Sequence, residues 1–149
     1  MDIGISVTMS KRQDYIDNIK TQLKEIPEFT LVQNIRTNPT RAQYPAVTFY
    51  IDEGIIETEA LDYNYQTRTL SIVVHVFTLS DKNPEKSEYD MWRYTDLIEQ
   101  TLISPDPTAM MKLTGIKGEV ADGDSPLHRS SLFYELQYFD NINMMSELI

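Results

Sequence analysis

The sequence predicts an α+β domain: a mainly antiparallel β-sheet with two principal helices packed on one face. Three observations carry that expectation. Two segments repeat apolar residues at helical steps, around Tyr15–Ile26 and Met91–Leu102. Between and after them, segments such as "AVTFYID" and "SSLFYELQYF" alternate with period two. The order is helix, strands, long strand, helix, two strands, with helices segregated from the strand runs instead of alternating with each strand. The chain has 149 residues, 41% apolar and 24% charged, which suits one packed domain. It divides into an arm over 1–9, a core over 10–139 and a tail over 140–149.

Residues 1–9 read as an extended arm or edge strand. Ser10 precedes Gln13 by three residues, the spacing of a capping box. Tyr15, Ile16, Ile19, Leu23 and Ile26 then share one helical face, and Pro27 ends the helix. "FTLVQNIR" is a strand of imperfect alternation, and "TNPTRAQYP" is a loop. In "AVTFYID", Val47, Phe49 and Ile51 face one way and Thr48, Tyr50 and Asp52 the other. Glu53-Gly54 marks a turn or bulge before the short strand "IIETEA", so that a hairpin is expected over 52–62.

"QTRTLSIVVHVFTLS" is the strongest strand. Leu70, Ile72, Val74 and Val76 form one face; Val73, Phe77 and Leu79 form the other, with His75 among them. A strand apolar on both faces is covered twice. One cover should be a helix and the other a second sheet or a neighbouring subunit. Asn83 is an N-cap candidate and Pro84 suits the first helical position. Met91, Tyr94, Ile98 and Leu102 make the stripe of this second helix, which Pro105 and Pro107 stop. "GIKGEVA" is a weak strand, "DGDSPLHR" a polar turn, and "SSLFYELQYF" closes the core. The apolar residues of the tail, among them Ile142, Met144 and Leu148, favour docking over solvent.

Composition excludes several functions. A formal charge of -10 repels nucleic acid backbones, so a dedicated DNA binder is not expected. It does not exclude a protein past which DNA slides. The absence of cysteine removes disulfides, thiol catalysis and thiolate metal sites. No signal peptide and no apolar run long enough to span a membrane are present, so synthesis in the cytosol is expected.

Five carboxylates, Asp52, Glu53, Glu57, Glu59 and Asp62, fall in twelve residues without a cation. Paired acids can serve acid–base chemistry if their pKa values are driven apart, or hold a hard cation. No calcium-loop pattern supports the second use, and spacing alone cannot establish the first. A solvated or pore-facing strand surface outweighs both. His75, between two valines, reads as packed or interfacial. His128 with Ser130 or Ser131 could be drawn as a triad, but there is no nucleophile elbow. No phosphate loop exists and only five glycines are available to build one. No catalytic residue, cofactor or metal is therefore assigned. Tyrosine and arginine combine in binding hot spots. Arg36, Arg41, Tyr63, Tyr65, Arg68, Tyr134 and Tyr138 are thus candidate contacts with another copy or a partner, ordinary half-buried strand tyrosine being the equal alternative.

The order "YIDNIKTQLKEI", "YPAVTFYIDEG", "RTLSIVVHVFTLSD" feeding "YDMWRYTDLIEQTL", then "RSSLFYELQYF", resembles the tail terminator (tail completion) proteins of long-tailed bacteriophages, over about residues 10–139. That resemblance implies a non-enzymatic virion protein at the tail–neck junction, assembled in the host bacterial cytoplasm. It implies a homo-oligomer, a hexameric ring. Such a ring caps the tail tube, ends elongation, borders the tube and any sheath, and offers its other face to the head connector, with DNA crossing its hole. The 52–62 acids would face the hole or an adjoining ring. Other neck or minor tail adaptors share the architecture. A small carboxylate-dependent hydrolase and a host-directed adaptor from a mobile element remain alternatives.

Overall fold

The computed structural model describes residues 11–40, 43–58, 65–79, 83–121 and 127–141. In chain order these form α1 (Lys11–Lys24), β1 (Leu31–Asn34), β2 (Ala46–Thr58), β3 (Tyr65–Leu79), α2 (Pro84–Thr101), β4 (Met110–Ala121) and β5 (Leu127–Asn141). The strands make one five-stranded sheet in the order β1-β2-β3-β5-β4. All pairs are antiparallel except β1 with β2. The fold is α+β with a mainly antiparallel sheet.

The alternation read from the sequence decides which side chains meet the helices. Val47 and Phe49 of β2, Leu70, Ile72, Val74 and Val76 of β3, and Leu132, Tyr134, Leu136 and Tyr138 of β5 form one buried layer. Tyr15, Ile19 and Leu23 of α1 and Tyr94 and Ile98 of α2 close on it. Apolar stripes are buried here because each removes about 25 cal/mol per Å² of contact with water. Tyr15 meets Tyr138 edge-on with ring centroids 5.0 Å apart, and Phe29 meets Tyr94 at 5.2 Å. Gln22 of α1 accepts from the Ile103 N–H and donates to its carbonyl, so α1 is also tied by polar bonds to the segment that follows α2.

At its N-terminal end α2 is capped as its sequence requires. Asn83 accepts from the Lys86 N–H at 3.1 Å and Pro84 opens the helix. Its next turns pack on small polar groups: Thr78 donates to the Ser87 carbonyl, and Thr95 and Ser130 share a hydrogen bond of 2.6 Å. Gly118 of β4 is required there, because a Cβ would stand 2.7 Å from the Trp92 ring.

Four expectations need correction or limits. Residues 46–58 are one strand, bent by a bulge between Ile51 and Glu53, not two arms of a hairpin. The bulge takes up the extra residue while pairing with β3 continues. The second cover of β3 comes from the same chain at its C-terminal half: Tyr44 stacks on Phe77 at 5.7 Å, and Pro39 is buried in the same loop. β4 begins at Met110, before the predicted "GIKGEVA", and β5 begins at Leu127, inside the predicted turn. The arm, Ser10 of the expected capping box and the 142–149 stretch lie outside the described residues.

Candidate functional site

The sheet face opposite the helices gathers the chemistry-bearing side chains. Cross-strand register places Thr48, His75, Ser131 and Lys117 in one row across β2, β3, β5 and β4. Tyr50 is two residues along β2 from Thr48 and points to the same face. The His75 ring lies between two hydroxyls: Nδ1 is 2.7 Å from Ser131 Oγ, and Nε2 is 3.2 Å from Tyr50 Oη. Arg36 stacks on the other side of Tyr50, 4.6 Å from the ring centroid. It also donates to the Ile51 carbonyl and approaches the Asp52 carboxylate at 3.7 Å. At the far end of the row, Arg129 pairs with Glu119, and Lys117 reaches Glu119 at 3.0 Å.

Burial, aided by the nearby Arg129 charge and partly opposed by Glu119, lowers the His75 pKa to about 4. The imidazole is therefore neutral near pH 7, with one nitrogen donating and the other accepting. Such a serine–histidine pair has the outline of a nucleophile and its base. Three features argue against that use. A ring titrating near 4 is a weak base at neutral pH, whereas a general base works best with a pKa near the operating pH. Ser131 is only 3% exposed. The group behind the histidine is a phenol, with no carboxylate to orient and stabilise an imidazolium. The row instead braces three strands.

A shallow cavity of about 170 Å³ lies nearby, lined by Asn38, Phe77, Glu119, Val120, Leu127 and Arg129. Small-molecule sites run to roughly 300–1,000 Å³, so it is undersized for a substrate cleft. No group of three or more His, Asp or Glu side chains able to share a cation occurs among the described residues. Among them, too, no helix is long and apolar enough to cross a membrane.

The predicted site residues are scattered by this geometry. Asp52, Glu53 and Glu57 lie exposed along β2. Glu59, Asp62, Arg41 and Tyr63 fall outside the described residues, as does the Tyr65 side chain. Arg36 pairs with Asp52 of its own chain. Tyr134 and Tyr138 are core residues, 5% and 2% exposed, and present no surface to a partner. Burial raises the Tyr134 phenol to about 12, with the Glu99 charge adding to the effect. Arg68 is half-buried and donates to Gln66. His128 is buried on the helix side, and Ser130 bonds Thr95, so no triad forms around them. The Tyr50–His75–Ser131 link escaped the sequence because its members lie 25 and 56 residues apart; alternation gives a residue's face, not its cross-strand neighbour.

The sheet also leaves large apolar side chains in water. Phe133 and Phe139 stand on the open face, and Ile55, Ile56, Met110, Ile116 and Val120 lie on β2 and β4.

No family model matches the sequence, and no curated protein does. Among solved structures, 35 chains match. One of them, a protein whose name conveys no function, aligns with a TM-score of 0.51 at 15% identity, over 89% of this chain and 99% of its own. At that identity the likeness is one of fold.

Proposed function

We propose that this chain is a structural protein of the bacteriophage tail neck. In this reading, copies join head-to-tail into a hexameric ring that caps the finished tail tube, stops further addition, and joins the tail to the head connector. The ring sits at the tail–neck junction of the virion after assembly in the host cytoplasm. The carrying observation is the exposed apolar set on the sheet: Ile55, Ile56, Met110, Ile116, Val120, Phe133 and Phe139. Of these, Ile55, Met110, Phe133 and Phe139 share the open face, where exposed apolar side chains on an acidic protein favour burial against protein. The choice of a tail ring over another assembly rests on the resemblance in element order.

The mechanism asks little chemistry of the chain. A cap ends growth because its outward face does not repeat the surface that recruits the next tube ring. A ring requires two different, mutually complementary patches on each copy. A charge of -10 leaves DNA unheld as it crosses the hole.

Tube subunits polymerised with and without the protein, and measured by electron microscopy, test this. Added protein should give shorter, capped tubes, and light scattering should detect ring-sized particles. A strict monomer that leaves tube growth unchanged would overturn the proposal. A neck adaptor without capping activity would bind connector yet leave tube length unaltered.

A further inference from the structure

The two outer edges of the sheet carry opposite charge. β1 pairs only with Ala46–Phe49 of β2, and no described residue pairs with the outer edge of β2 beyond that point. Arg36 closes the start of the open stretch by donating to the Ile51 carbonyl. The remainder of that edge, Asp52 to Glu57, is exposed throughout and includes Asp52, Glu53 and Glu57 with Ile55 and Ile56. At the other side of the sheet, β4 pairs with β5 alone, and no described residue covers its outer edge. That edge displays Lys112 and Lys117 with Met110, Ile116 and Val120; its acid, Glu119, is shared between Lys117 and Arg129 of β5, so that the three side chains together keep a positive charge beside Lys112.

An uncovered edge with exposed apolar side chains is a template for another strand. We infer that the occupant is a second copy of this chain: the β4 edge of one copy adds to the Asp52–Glu57 edge of the next. Charge makes the choice. Two β2 edges would bring Glu to Glu, and two β4 edges Lys to Lys, whereas β4 on β2 pairs Lys with Glu and apolar with apolar. Direction agrees. β2 and β5 run the same way, and β4 runs opposite to both. A rotation about an axis along the strands keeps each strand's direction, so β4 meets the neighbour's β2 antiparallel, as in most of the sheet. The joint is heterologous and its repetition closes a ring or propagates.

This inference rests on the ring reading and specifies its contact. Two variants separate them by light scattering: Glu53→Lys/Glu57→Lys, in which both edges are basic, and Lys112→Glu/Lys117→Glu, in which both are acidic. Wild type should have a mass several-fold that of one chain. Each variant alone should fall to the mass of a single chain, an equimolar mixture should recover assembly, and the four changes in one chain should restore it. Circular dichroism melts establish that the variants are folded. If a paired reversal does not melt cooperatively, the single changes Glu57→Lys and Lys112→Glu put the same question. Variants that assemble like an oligomeric wild type overturn the edge contact and leave the ring standing. A wild type monomeric at all concentrations overturns the edge contact, and overturns the ring as well if tube growth is also unchanged.

Discussion

His75 makes protein stability depend on pH with a defined sign. Its folded pKa, about 4, lies below the 6.5 of an unperturbed histidine, chiefly because burial penalises the imidazolium. Above pH 6.5 both folded and unfolded chains hold it neutral, and its contribution is fully present. Between 6.5 and about 4 the unfolded chain takes up a proton that the folded chain refuses, so stability falls as pH falls through that window. Urea midpoints at either end of this range should drop less in His75→Gln than in wild type. Equal drops would show that burial does not hold the ring neutral. Tyr134 makes a second test. Its buried hydroxyl has no hydrogen-bond partner among the described residues, so its removal forfeits little. Tyr134→Phe should leave stability unchanged or raise it by less than about 1 kcal/mol in chemical denaturation. A loss of several kcal/mol would mean that the hydroxyl is engaged.

At the scale of elements, α2 separates local from tertiary stabilisation. Asn83→Ala removes the bond to the Lys86 N–H and should cost about 1 kcal/mol. Ile98 is fully buried between α2 and the sheet. Ile98→Ala should cost about 2–5 kcal/mol, because the cavity adds to the lost transfer energy. If the two costs measured by urea titration were alike, capping rather than burial would dominate the helix. The cap, the proline at the helix start and the apolar stripe were all legible, being local in sequence. β4 was read only in part. Met110–Leu113 does not alternate cleanly into Ile116, because a bulge between Leu113 and Gly115 shifts the side on which residues appear. In β2 the sequence allowed a turn or a bulge at Glu53-Gly54; the bulge is what forms, the strand absorbing its extra residue at Asp52 and continuing, so that no hairpin arises over 52–58.

For the whole molecule, charge makes the clearest forecast. At -10, the protein should fail to retard duplex DNA in a gel at physiological salt, since non-specific affinity comes from cations that neutralise phosphates. A salt-sensitive shift would require a basic surface that overrides the net charge and would count against an unheld DNA passage. The candidate site was less legible than the fold. The acidic run was visible at once, yet its partner Arg36 and its place along a strand edge that no described residue covers depend on register and strand order. Tyr134 and Tyr138 show the opposite failure. Their residue type suggested an interface, while their alternation with Leu132 and Leu136 had already placed them on the core face.

By itself, the sequence determined the two helices, the long central strand, the side of each strand that is greasy, and a net charge hostile to nucleic acid. These come from periodicity and summed composition, properties that need no distant neighbour. Only the tertiary structure decided that His75 lies between Tyr50 and Ser131, that the Tyr44 loop covers Phe77, and that the acids of β2 beyond the end of β1 and the lysines of β4 lie on opposite sides of one sheet. Those facts arise from strand order and pairing between residues far apart in the chain, which are settled by how the faces pack together rather than by any local pattern.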